Sequence, residues 1–254
     1  MKLYSLYFSP TGGTKKVSDI ICSAWNCEKI EIDLSDKSIS LNNIKLEKDD
    51  VCIISVPSFS GRVPQFIIPK LQKLQGSKTK AVIVTAFGNR EFDDTLFELQ
   101  NTLEPQGFVC VCAVAAVTQH SLMPKYGAGR PDADDIKELK AFSVKCKNAV
   151  DTASNSVKVP GNYPYRKYNA IPIKPKVKRT CKGCKLCVDR CPVQAISADN
   201  PTKTDTEKCI SCLQCITVCP HNARYTSRLM RMMATKKMKK VCSGRKENRI
   251  FLAD

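Results

Sequence analysis

Eight of the 15 cysteines stand in two runs of identical spacing. Cys181, Cys184, Cys187 and Cys191 read C-x2-C-x2-C-x3-C-P, and Cys209, Cys212, Cys215 and Cys219 repeat the pattern 28 residues later. Thiolates are soft ligands, suited to iron–sulfur clusters and to zinc. A structural zinc site takes two C-x2-C pairs, whereas a triplet with two-residue gaps followed by Cys-Pro grips a cubane at three corners. Two [4Fe-4S] clusters are therefore expected, with structural zinc as the alternative. The clusters would also hold together a domain too small for a large core, because ligation supplies folding free energy. The other cysteines, including Cys110 and Cys112 on one face of a strand, read as small apolar side chains.

The first 155 residues show a different pattern. Apolar, β-branched runs at 2–9, 29–34, 51–56, 81–87 and 108–117 read as five strands, alternating with helices at 14–25, 64–75, 92–103 and 133–154. Buried strands separated by helices predict an α/β domain, a doubly wound parallel five-stranded sheet, over residues 1–155. Prolines 160, 164, 172 and 175 mark 156–178 as a linker. Residues 179–228 form the small α+β two-cluster domain, and 229–254 a basic tail.

Ligands of a parallel sheet sit beyond the carboxyl ends of its strands. The first such loop, Ser9-Pro10-Thr11-Gly12-Gly13-Thr14, joins hydroxyls and glycines to a helix N-terminus, which makes a cradle for phosphate. The third strand ends in Pro57-Ser58-Phe59-Ser60-Gly61-Arg62 and the fourth in Thr85-Ala86-Phe87-Gly88-Asn89-Arg90. Each sets an aromatic ring beside a glycine, as walls around a planar ring system require. A phosphate cradle with two such walls describes an FMN site; ordinary turns with incidental aromatics are the alternative. His120 follows the fifth strand and is a candidate flavin contact or proton donor. Arg62 and Arg90 beside the ring favour an anionic flavin hydroquinone, with Glu91, Asp93 and Asp94 nearby as an offset.

With these motifs, and with Gly61-Arg62-Val63-Pro64, Gln119-His120-Ser121 and Gly129-Arg130-Pro131-Asp132, the chain resembles the ferredoxin–flavodoxin fusion family of anaerobic bacteria. The resemblance implies a flavodoxin-like fold for the sheet domain with FMN on it, electron transfer between FMN and two clusters, and, with Arg62 and Arg90 at the ring, a less negative hydroquinone couple than in flavodoxins. It also implies crossed ligation: Cys181, Cys184, Cys187 and Cys219 for one cluster, and Cys209, Cys212, Cys215 and Cys191 for the other. One departure is Gly13, where the family's phosphate loop usually carries Asn.

The formal net charge of +17 is unevenly spread, with 19 basic and 18 acidic residues over 1–157 against 22 and 6 over 158–254. A positive field of that size predicts an acidic redox partner such as a ferredoxin or an oxidoreductase. Nucleic acid is disfavoured, for no helix-turn-helix pattern or aromatic platform accompanies the charge. No apolar run reaches membrane-spanning length, and a cytoplasmic electron carrier is the leading expectation. The alternative is a ferredoxin-dependent flavin reductase acting on a small substrate, which requires open space beside the flavin where a carrier presents a flush edge.

Overall fold

The computed structural model describes residues 1–169 and 171–253. Strands β1 (Leu3–Tyr7), β2 (Lys29–Asp33), β3 (Val51–Pro57), β4 (Thr79–Phe87) and β5 (Phe108–Val117) run parallel in the order β2-β1-β3-β4-β5. That is the flavodoxin-like doubly wound order, whose switch point lies between β1 and β3. Helices α1 (Gly13–Cys22), α2 (Ile68–Leu71) and α3 (Thr95–Leu103) lie in the crossovers, and α4 (Ala133–Thr152) follows β5. Val17, Ile21, Leu139 and Phe142 pack α1 and α4 on one face, and Leu71, Leu96 and Leu99 pack α2 and α3 on the other. Strands covered on both sides must be apolar throughout, which is why β3, β4 and β5 read as continuous hydrophobic runs.

Three details differ from the sequence pattern. The helix expected over 64–75 shrinks to α2, and Pro69, tolerated only in a helix's first turn, keeps it from running through from residue 64. The helix expected from Phe92 starts at Thr95, since Asp93 takes a positive φ of 44° and breaks the preceding turn. Cys110 and Cys112 lie on opposite faces of β5, because the register with β4 shifts between Ala81 and Val82.

The linker is held to the sheet domain. The Asp94 carboxylate accepts the amides of Asn162 and Arg166 at 2.9 and 2.7 Å, and Ser60 Oγ donates to Asn169 O at 2.9 Å. The small domain follows, with β6 (Lys176–Val177) paired antiparallel to β7 (Arg224–Tyr225) and single-turn helices α5 (Leu186–Asp189) and α6 (Gln214–Thr217) between them. Its sequence repeat is also a backbone repeat. Gly183 and Ser211, Lys185 and Leu213, and Gln194 and Asn222 all have positive φ, each pair 28 residues apart. Such turns aim successive amides inward, as an anionic cluster requires.

The basic tail returns to the sheet. It forms α7 (Arg228–Lys237), α8 (Lys239–Cys242) and β8 (Arg249–Leu252), and β8 pairs antiparallel with β5 as a sixth strand that the apolar pattern does not announce. Side chains fix this return. Arg130 grips Asp135 at 2.8 and 2.5 Å and donates to Lys246 O at 2.5 Å, while Arg245 pairs with Asp132. The buried Asn248 accepts the amide of Val117 at 2.8 Å and donates to Asp135 and Glu138. No helix among the described residues is long and apolar enough to cross a membrane.

Asn248→Ala would leave the Val117 amide and the Asp135 carboxylate short of partners inside the protein. A loss of about 1–3 kcal/mol is expected, read as a lower urea midpoint at unchanged slope. An unshifted midpoint would mean that the tail is not held by these bonds.

Candidate functional site

The loops at the carboxyl ends of β1, β3, β4 and β5 enclose a cavity of about 800 Å3. Pro10, Thr11, Gly13 and Thr14 form its phosphate-loop end, Pro57 to Gly61 one side, and Ala86 to Gly88 with Arg90 the other. His120 closes the β5 side. The opposite wall comes from the linker, from Ser211 in the small domain and from Met230, Met233 and Lys237 on α7.

Several predicted residues shape this site without lining it. Gly12 takes a left-handed φ of 88° just before α1, and Ser9 Oγ accepts the amide of Lys15 at 2.8 Å. Both fix the loop so that Gly13 and Thr14, whose amides begin the helix, face the cavity. The Asn that the family usually carries at position 13 would be crowded here, because its Cβ would come 3.3 Å from Thr118, which would have to give by a few tenths of an ångström. Thr85 is buried in β4 behind the cavity.

Three assignments need correction. Arg62 does not reach a ring site: its guanidinium grips the buried Glu98 at 2.7 and 2.5 Å, donates to Arg166 O at 2.6 Å and stacks on Tyr165. Asn89 faces the tail, donating to the carbonyls of Cys242 and Gly244 at 2.7 and 2.8 Å. Phe87 borders the cavity, but its ring packs into the core 5.6 Å from that of Phe92, so it presents no exposed aromatic face there. Phe59 does border the cavity, braced edge-on by Phe8.

Arg90 borders the cavity but is paired with Asp93, which also takes Arg166. Gly61 is required at this junction, since a Cβ there would fall 2.7 Å from Arg166 Cδ. Gly88 is likewise required, because a Cβ would strike the His120 ring at 2.8 Å. His120 Nδ1 accepts the amides of Leu122 and Met123 at 3.2 and 3.4 Å, which leaves the proton on Nε2. Burial, reinforced by Arg90, lowers its pKa from 6.5 to about 4. The imidazole at the cavity wall is thus a neutral N–H donor.

The cluster cysteines fall into two groups. Cys181, Cys184, Cys187 and Cys219 line one small cavity, and Cys191, Cys209, Cys212 and Cys215 line another. Among the described residues, no three His, Cys, Asp or Glu side chains converge as a single metal ion demands; the thiols surround a volume instead. The amides of Ala195 and Ala223 donate to Cys191 Sγ and Cys219 Sγ at 3.3 Å each. Burial pushes the Cys212 and Cys215 thiols up to about 12, so a metal must displace their protons. Ser211, between Cys209 and Cys212, links the second group to the large cavity.

Sequence reasoning misses the α7 wall. Its signal is compositional: Met230, Met232, Met233 and Met238 are four of the chain's six methionines. The spacing of 230, 233, 234 and 237 is that of one helical face.

The His120 environment makes a pH prediction. Its folded pKa lies below the unfolded value, so the unfolded chain binds the extra proton and stability rises with pH between about 4 and 6.5, then levels off. A ring-proton NMR titration is expected to find His120 neutral at pH 6; a midpoint near 6.5 would refute the buried, doubly accepting geometry.

Residues 180–223 match the family model of the 4Fe-4S dicluster domain. No curated protein matches the chain at a significant level. Among solved structures, an archaeal flavodoxin is similar at 13% identity and a TM-score of 0.43, covering 60% of this chain and 100% of its own. Flavodoxin 1 from Bacillus cereus is similar at 17% identity and a TM-score of 0.45, covering 58% of this chain and 98% of its own. By its strand order and by its cysteine-rich segment, the chain joins a flavodoxin-like sheet domain to a 4Fe-4S dicluster domain, a pairing suited to electron transfer.

Proposed function

We propose that the protein moves electrons between an acidic redox partner and FMN held at the strand ends, by way of its two clusters. FMN exchanges one or two electrons and each [4Fe-4S] cluster one, so the pair converts between the two modes. Cys181, Cys184, Cys187 and Cys219 hold the first cluster, and Cys191, Cys209, Cys212 and Cys215 the second.

The position of Ser211 carries the reading. It borders the large cavity while its neighbours belong to the second thiol group, so the second cluster stands next to the flavin. Cys184 of the first group is exposed, and Lys182 and Lys185 line the same small cavity. The first cluster is therefore the outward station, where a positive field steers an acidic partner. On the flavin side, Gly13 and Thr14 offer amides to the phosphate and His120 Nε2 offers a proton-bearing nitrogen to the ring edge. With Arg62 committed to Glu98, Arg90 is the one of the two expected arginines that still borders the cavity, and its pairing with Asp93 moderates its influence on the ring.

A second reading, reduction of a small molecule at the flavin, is favoured by volume. FMN at the close packing of a protein interior fills roughly half of the cavity, leaving space beside it.

Anaerobically purified protein is expected to contain about eight iron atoms, about eight sulfides and one FMN per chain; a clearly lower iron content would overturn the cluster assignment. Reduction by an acidic ferredoxin is expected to slow steeply between low and physiological salt, where exposed charges are screened beyond about 8 Å. Lys182→Gln with Lys185→Gln is expected to flatten that slope more than changing Lys236, Lys237, Lys239 and Lys240 together. Rates independent of salt would remove the acidic partner from the scheme. Arg62→Gln is expected to lower the urea midpoint by an amount typical of a broken buried pair and to leave the flavin couple in place, whereas a shifted couple would return Arg62 to the ring.

A further inference from the structure

The space that FMN leaves unfilled has walls of a definite chemistry. Met230 and Met233 on the roof helix α7 and Met238 just beyond it line the cavity, as do Leu122 and Met123, against which Met238 also packs. Thioether side chains have three rotatable bonds and a polarizable sulfur, so they fit flat apolar surfaces of varying outline.

The charges around the same space are unequal. Arg90 and Arg166 share the Asp93 carboxylate, and Glu91 is paired with Arg249. Lys237 also borders the cavity, and among the described residues no carboxylate stands within ion-pair distance of it. His120 is neutral and adds no charge. The mouth is therefore positive, with one ammonium group available to an incoming anion.

The roof is anchored at more than one point. Tyr126 donates its hydroxyl to Thr235 O at 2.6 Å, and Asn89 holds the carbonyls of Cys242 and Gly244 at the end of α8 and just beyond it. None of the α7 residues is buried, and Met233 is 64% exposed while lining the cavity. Ala234 packs against the small core of Leu122, Met123 and Tyr126, and the rest of the helix's inner face borders the cavity and remains open to solvent.

We infer that the cavity beneath α7 is a second binding site, for a flat apolar carboxylate such as an aryl or enoic acid, with its apolar body against the roof methionines and its carboxylate on Lys237. The inference rests on FMN occupying the strand-end half of the same cavity.

The test is calorimetric titration of full-length, cluster-loaded and FMN-loaded protein with trans-cinnamate and with its neutral analogue cinnamamide. Cinnamate is expected to bind on the order of tenfold more tightly, as a charge-assisted contact gives. Lys237→Gln is expected to remove that preference, Lys240→Gln to retain it, and Ala234→Trp, which fills the space under the roof, to abolish cinnamate binding with FMN still in place. The proposal is overturned if neither probe binds, if the preference survives in Lys237→Gln, or if Ala234→Trp binds cinnamate normally. It is also overturned if Lys237→Gln weakens FMN but not riboflavin, for the lysine then serves the cofactor's phosphate. Failure of the flavin reading looks different: the wild-type chain then binds neither FMN nor riboflavin, whatever cinnamate does.

Discussion

A single carboxylate sets how the two halves of the molecule meet. Asp94 stands where α3 would be capped, yet it gives its oxygens to the amides of Asn162 and Arg166 in the linker. The next contacts depend on that choice. Arg166 reaches Asp93, Ser60 reaches Asn169, and Ser211 reaches back to Ile171 O at 3.0 Å. Burial works against an ionised Asp94, but the hydrogen bonds from Arg166 and Asn162 together outweigh it, and its pKa falls below the usual carboxylate value. The linker is thereby a fixed strut, and the thiol group around Ser211 is held beside the strand-end loops.

The second junction is apolar. Leu122, Met123, Tyr126 and Ile173 form a small core with Leu213 from the dicluster domain and Cys242 from the tail. Four separate stretches of chain contribute to it, so neither domain owns it. Ile210 and Cys212 also lean on the larger core beneath the sheet. These contacts hold the second thiol group against the sheet domain without requiring a moving hinge.

Much of this architecture is legible in the sequence, for identifiable reasons. β3, β4 and β5 announce themselves because burial on both faces demands uninterrupted apolar runs, the edge strand β2 by its alternation of polar and apolar residues, and the dicluster segment because its cysteine spacing leaves few alternatives. The loops at the strand ends follow from topology alone. What escapes is whatever depends on partners distant in sequence. Arg62 looks like a ring contact until Glu98, on another element, claims it. Asn89 has the same surroundings as a cofactor ligand until the tail arrives. The roof escapes because α7 reads as a solvated basic helix, and only its methionine face distinguishes it. β8 is four residues long, too short for periodicity to register.

That short strand has a consequence for how the protein is made. β5, Phe-Val-Cys-Val-Cys-Ala-Val-Ala-Ala-Val, is nearly all apolar, and without β8 its free edge would be a template for pairing with other chains. The residues that cover it are translated only after all eight cluster cysteines have emerged. A nascent sheet domain therefore waits with one edge open while the thiols between its two parts are still being made, and a shortened chain ending near residue 155 would keep that edge open permanently.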